Sequence, residues 1–469
     1  MNQLLEPLQQ HGYAVYPRSV KPIEGGHVFV ARQGARKLIG VACKRNFPPM
    51  HSRAFGPMTL ASGAQASLHE PTWENYQAVR QLMPLGPVRC DRNASLGMGD
   101  RLGMATPAHL DAAEPFPVFP VIAQQSPREL TKTLRTFRDV LLDAAMGALE
   151  VGFDAPWGAD ADHIKDEERL TEAVRAGYSM YTLDLSGWVS PSDPSDLFDE
   201  SDLSDLSRRI VRKHSGQGVA AHATSEQELL RSAAVYQRPL ENAVRFHRII
   251  RAAMPDFDLE VSMDEASQET TLEDHLFAAE YLHASGVALT SLAPRFPGKF
   301  RKGVDFIGDV ADLAASMRMH ARLAREIGGY KLSLHSGSDK WLAYRPFGEA
   351  VEGLFHVKTS GTSWLEALSL VSEYEPELYK VIYTIALAHL HDSLRDYDTD
   401  INLRDLPPRI PPGECLDRRD RNLVQLFHIS YGALLAEKGD EIRALLAEHE
   451  ARHYERIATH MRRHLEALA

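Results

Sequence analysis

From residue 95 to about residue 370, short apolar runs alternate with longer stretches whose apolar positions recur every three or four residues. The short runs lie near residues 96, 118, 153, 180, 257, 287, 331 and 354 and have the length of single strands, whereas the longer period is that of an amphipathic helix. Strands that alternate with helices build a parallel sheet, and eight such units close on themselves. The pattern therefore predicts an α/β protein with a (β/α)8 TIM-type barrel over residues 95–370. One helix is expected over 128–149, with Leu130, Leu134, Phe137, Leu141 and Leu142 on its apolar face and Ser126-Pro127 as its entry. Residues 1–94 read as a mixed α/β cap segment, with a hairpin over 25–45 and loop through most of 46–72. Residues 371–469 read as a helical region packed on the barrel. A proline-rich turn at 404–417 breaks it, and two helical stretches over 421–469 suit a closing layer or a homo-oligomer contact.

Composition narrows the function. The chain has 469 residues, 44% hydrophobic and 25% charged, which is ordinary for a globular protein with a large core. With 52 basic against 64 acidic residues, the net charge of −12 argues against salt-driven nucleic-acid binding while leaving room for a small anionic substrate held by a few local cations. Three cysteines, Cys43, Cys90 and Cys415, share no metal or redox spacing and read as free thiols of a reducing compartment. The first residues lack a secretory pattern, and no apolar run approaches the ~18 residues of a membrane span. The expectation is a cytoplasmic protein with a small-molecule substrate and no membrane partner. The acidic run at 192–206 lacks the glycine and terminal glutamate of a calcium loop and reads as a solvated insertion.

In a barrel of this class, functional side chains sit at the carboxyl ends of the strands. Here those ends supply Asp100 and Arg101, Gln124 and Gln125, Asp160 with Asp162 and His163, Asp184, Asp264 and Glu265, Arg295, His335 with Asp339 and Lys340, and His356 with Lys358. GADADHIK (158–165) puts two carboxylates and an imidazole within four positions, enough for a metal ligand beside a proton acceptor, or for an Asx-rich helix cap. Three histidines on three strand ends, His163, His335 and His356, suit a divalent metal with an open position for substrate. Asp264 and Glu265 point to opposite faces if the strand continues. Glu265 has the longer reach and is taken as the acid/base, with Asp264 as fallback. Neither a P-loop nor a GxSxG elbow is present.

SLGMGDRLGMATPAH, IAQQSPREL, GADADHIK, EVSMDEA, SLAPRFPGKFRKGVDFIGD, KLSLHSGSDK and HVKTSGTSWLEAL occur in that order between about 95 and 370. The ordered set resembles the tagaturonate epimerase family, sugar-acid enzymes of bacterial hexuronate catabolism. The resemblance implies a metal-dependent isomerase that interconverts D-tagaturonate and D-fructuronate by inversion at C4. Carried onto this chain, it makes Asp162 the proton acceptor and Glu265 the proton donor, and it makes His163, His335 and His356 the ligands of a divalent cation, Zn, Mn, Ni or Co. Arg295, Lys340 and Lys358 are the candidates to hold the substrate carboxylate, with Asp100, Arg101 and Gln125 as further substrate contacts. A metal-dependent aldolase or ketose isomerase on a related sugar acid, and a non-catalytic sugar-binding protein, are the alternative readings.

Overall fold

A computed structural model describes residues 2–44, 48–60, 62–189, 200–219, 222–410 and 413–468. At its centre is a closed barrel of eight strands, here β1 (Ala94–Met98), β2 (Phe119–Gln125), β3 (Gly158–Ile164), β4 (Met180–Asp184), β5 (Asp258–Ser262), β6 (Ser291–Ala293), β7 (Lys331–Leu334) and β8 (Phe355–Thr359). Each strand pairs in parallel with the next, and β8 returns to β1. The expected (β/α)8 barrel is what the chain forms.

The strands alternate in a way that sets the chemistry. Leu96, Leu183, Val261, Leu292, Leu332 and Val357 face the surrounding helices and belong to one large apolar cluster. Their neighbours Ser95, Thr182, Glu260, Ser291, Ser333, His356 and Lys358 are just as buried but polar. A barrel interior filled with branched aliphatic side chains is the usual solution, so a charged interior marks a functional centre rather than a packing core.

Ahead of the barrel, the expected hairpin forms from Gly26–Gln33 and Arg36–Cys43, paired antiparallel with Gln33 opposite Arg36. It is part of a six-stranded antiparallel sheet. The stretch expected as loop contributes two of these strands, Arg53–Thr59 and Gln65–His69. The second of them satisfies the free edge of Arg36–Cys43. The single helix expected over 128–149 is instead two, Pro127–Thr133 and Phe137–Glu150. Leu134, placed on the apolar face by periodicity, adopts a left-handed conformation (φ 54°) and is 82% exposed. A capping box at Thr136 and Asp139 restarts the helix there, so local hydrogen bonding overrides the apolar period.

Beyond β8 the chain is helical, and 421–468 holds three helices rather than two: Arg421–Ile429, Tyr431–Glu448 and Glu450–Leu468. The last packs against helices Thr106–Ala113 and Trp341–Val351, which flank the barrel. Of the acidic run at 192–206, residues 192–199 lie outside the described residues. Among the described residues no helix is long and apolar enough to cross a membrane.

Candidate active site

Extended backbone would send Asp162 and His163 to opposite faces of β3. The structure overcomes this with a bulge. Opposite β4, Ala161 pairs with Tyr181 but Ile164 pairs with Leu183, so β3 carries one extra residue, and His163 sits there with φ 52°. The bulge re-aims the histidine so that both side chains line the same small cavity. A second irregularity, between Val121 and Ala123 of β2, acts on the glutamines. Gln124 faces inward and donates to the Thr359 carbonyl at 3.2 Å, while Gln125 is buried away from the cavities.

Beneath this rim lies a compact charge network. The Lys358 ammonium donates to Asp162 Oδ1 at 2.8 Å and lies 2.6 Å from Asp160 Oδ2 and 2.8 Å from Glu260 Oε1, with the Thr182 hydroxyl also in contact. Three buried carboxylates thus share one lysine. Burial pushes Asp160 up to about 6. Burial acts the same way on Asp162, but Lys358 and then His163 and His335 outweigh it and hold that carboxyl well below the ordinary range.

Two imidazoles complete the upper layer. His163 Nδ1 meets Asp184 Oδ2 at 2.8 Å, and His335 Nε2 meets Glu260 Oε1 at 2.6 Å. Each ring is therefore oriented by a buried carboxylate on one nitrogen, the arrangement that fixes the tautomer of a metal-binding histidine. His335 Nδ1 faces Asp264 Oδ1 at 3.1 Å. Ligand atoms of His163, Asp264 and His335 all lie within 4.8 Å of one another. Burial lowers both histidines, yet the carboxylates around them win: Asp162 and Asp264 first among them raise His163 to about 10, and Asp264 raises His335 to about 9. A site that draws two protons onto two imidazoles is one whose charge and donor types fit a divalent cation.

The third ligand expected from the sequence is not in this group. His356 lies one layer down inside the barrel, where Ser95 Oγ contacts its Nδ1 at 2.9 Å, and burial lowers it to about 3, so the ring is neutral. Asp264 stands with the two histidines instead. Glu265 turns to the lip of an outer cavity of about 440 Å³, where it meets Lys165 at 2.7 Å and Arg128 at 3.4 Å. The adjacent acids thus divide, one inward and one outward.

The expected substrate contacts fare unequally. Arg295 lines the outer cavity, its guanidinium donating to the Ala266 carbonyl at 2.7 Å. Arg101 lines the inner cavity, bonded to Glu129 and to the His428 carbonyl. Gly361, at φ 80°, lets the chain pass directly over that pair: a Cβ there would lie 2.5 Å from His428 and 2.8 Å from Arg101. Asp100 does not reach either cavity, because it is occupied in accepting from the Leu102, Gly103 and Ala105 amides. Lys340 does not either. Its ammonium, fully buried, donates to the carbonyls of Arg301, Val304 and Ser338 at 2.8, 2.6 and 2.8 Å. Residues that strand-end reasoning missed are Glu260 and Thr182, which lie inside their strands, and Arg128 and Lys302, which come from a helix and a loop. The polar phase of alternation in β4 and β5 was the signal for Thr182 and Glu260, whereas Arg128 and Lys302 lie within IAQQSPREL and SLAPRFPGKFRKGVDFIGD, whose order carried the resemblance but singled out neither.

A second convergence of Asp339, His460 and His464 has metal-like composition but is internally satisfied. His464 Nε2 accepts from the Asp339 amide at 3.0 Å and its Nδ1 meets the His460 carbonyl at 2.9 Å, so neither nitrogen is free.

Residues 16–468 match the family model of tagaturonate epimerase. This chain belongs to the tagaturonate epimerase family. A tagaturonate/fructuronate epimerase of Thermotoga maritima is 36% identical over 475 residues, covering 97% of each chain. The native crystal structure of fructuronate-tagaturonate epimerase from Cohnella laeviribosi superposes with a TM-score of 0.88 at 31% identity, over 99% of this chain and 98% of that one. A glycerol complex of the same enzyme gives 0.88 at 30% identity, over 100% and 99%. The family assignment thus spans the N-terminal sheet, the barrel and the helical layer together, and its members are carbohydrate epimerases.

Proposed function

We propose that this chain is a tagaturonate/fructuronate epimerase that uses one divalent cation. The observation that carries the reading is the convergence of His163, Asp264 and His335 over a buried acid-lysine network, in a chain of this family. The two sugar acids differ at C4, which is β to the ketone, so enolisation at C3 cannot invert it. Either C3–C4 is cleaved by retro-aldol chemistry and re-formed from the other face, or the ketone first shifts to C3 and makes the C4 hydrogen acidic. A bound cation, held by His163 and His335 with Asp264 in the place expected for His356, would supply Lewis-acid stabilisation of the enolate-like oxygen.

The chain's own residues supply the proton movements. Asp162, at the floor of the inner cavity and kept ionised by Lys358, accepts the proton, from the C4 hydroxyl on the cleavage route. Glu265, at the lip of the outer cavity, serves as donor, with Lys165 and Arg128 holding its position. Gln124 and Arg101 form the wall of the inner cavity. The substrate class makes the protein a small-molecule enzyme, and its anionic substrate is compatible with the net charge because cations are concentrated at the cavity.

Incubation with tagaturonate and with fructuronate, followed by NMR, tests the reading: each is expected to yield the other. Exhaustive chelation should abolish turnover, with Mn, Zn, Ni or Co restoring it; undiminished activity in metal-free protein removes the cation from the reading. Asp162→Asn should lower kcat by about 10²–10⁴-fold while substrate still binds. A variant with normal kcat would show that the proton acceptor is elsewhere.

A further inference from the structure

A sugar acid differs from the corresponding neutral sugar by one carboxylate, and that group requires a cation of the cavity to hold it. Arg101, Lys299, Arg301 and Lys358 each meet a carboxylate, and Arg295 is committed to two backbone carbonyls. Lys302 differs from all of these. Its ammonium donates to Ser336 Oγ at 3.0 Å, and among the described residues no carboxylate lies within ion-pair distance of it. Arg128 stands beside it, held by 3.4 Å contacts to Glu265 and to the Asp396 carbonyl and by stacking on Tyr397, with its buried Nε unpartnered. These two cations line both the inner and the outer cavity.

Burial and then the neighbouring guanidinium push the Lys302 ammonium below its ordinary range, as expected for like charges side by side in a low-dielectric site. Such a pair is stabilised by an anion between them. The loop that carries Lys302 is held in place from behind, because Lys340 ties the carbonyls of Arg301 and Val304 to that of Ser338. Ser336, which accepts from Lys302, is fixed in a left-handed conformation (φ 49°) directly after His335. The seat is therefore rigid and adjoins the reacting centre, as C6 of the substrate, two bonds from C4, requires.

We propose that Lys302, with Arg128 beside it, seats the substrate carboxylate and makes this site selective for sugar acids over neutral sugars, an inference that rests on the function proposed above. On the cleavage route the carboxylate belongs to the aldehyde fragment, so the same seat retains that fragment while its carbonyl face is exchanged.

The test compares Lys302→Met and Lys302→Arg with the wild type, using tagaturonate as substrate and D-tagatose, which has CH2OH in place of the carboxylate, as competitive inhibitor. Lys302→Met should raise KM for tagaturonate roughly 30-fold or more. Its kcat should fall by a smaller factor than KM rises, because the ground state and transition state lose the same interaction and only retention of the cleaved fragment is lost during turnover. Inhibition by D-tagatose should be nearly unchanged, and Lys302→Arg should recover much of the lost affinity. An unchanged KM, or equal weakening of both ligands, overturns the proposal. If the wild type does not turn over tagaturonate, the proposed function fails. Calorimetric affinities of a hexuronate and its neutral hexose for the wild type and Lys302→Met then decide the carboxylate seat independently.

Discussion

Lys358→Met is expected to destabilise the protein by about 3–5 kcal/mol and to abolish turnover. The lysine is the shared partner of Asp160, Asp162 and Glu260, all buried within the barrel. Methionine replaces the aliphatic stem but leaves three carboxylates packed together without their cation, and in a low-dielectric interior such repulsion is relieved only by proton uptake or by opening of the barrel. The deficit should therefore shrink as pH falls from 8 toward 5, where protonating a carboxyl substitutes for the missing charge. Denaturant titration at several pH values reads both effects. A variant within about 1 kcal/mol of wild type at pH 8 would show that the network is neutralised by something other than Lys358.

His335→Ala should abolish metal binding and lower activity by at least about 10³-fold while the protein stays folded. Elemental analysis after gel filtration gives the metal content, and a variant that retains a full equivalent removes His335 from the ligand set. The wild type offers a companion test that depends on sign. In metal-free protein His163 and His335 titrate at about 10 and about 9, above the ordinary value of ~6.5. The stability they confer is fully present below pH ~6.5 and is lost as pH rises through 9–10. A cation must displace those protons, so its affinity rises with pH across the same window. The rise in Tm on adding metal should be larger at pH 8.5 than at pH 6.5. A pH-independent increment would mean that the cation does not bind these imidazoles.

Much of this was legible in the chain because the barrel is unusually polar inside. In KLSLH and FHVKT every second residue is apolar and faces the helices, so the intervening histidine or lysine must face inward. Such alternation is rare in a parallel barrel and identifies strand and interior together. The three-residue β6 carries too little pattern to be located closely, and β3 begins at Gly158, later than the apolar run near 153 suggested. What periodicity cannot reveal is where it breaks. The bulges at His163 and before Gln124 decide which of two adjacent polar residues enters the site, and neither has a sequence signature of its own. Lys340 misled for another reason: a lysine beside a glycine-serine turn has the composition of an anion site, but its reach was used on carbonyls behind that turn. Lys302 lay in a loop without periodicity, so only the folded surroundings reveal that it lacks a carboxylate partner.

The helix Glu450–Leu468 has a consequence for how the protein is made. Its His460 and His464 grip Asp339, the residue before the lysine that anchors the Lys302 loop. This helix emerges from the ribosome after every barrel strand. Its Ile457, Met461 and Leu465 also belong to the apolar core around the barrel, so a chain interrupted before residue 450 would leave that core open as well as the turn behind the carboxylate seat unsecured. Activity would then report that synthesis had run through to this helix.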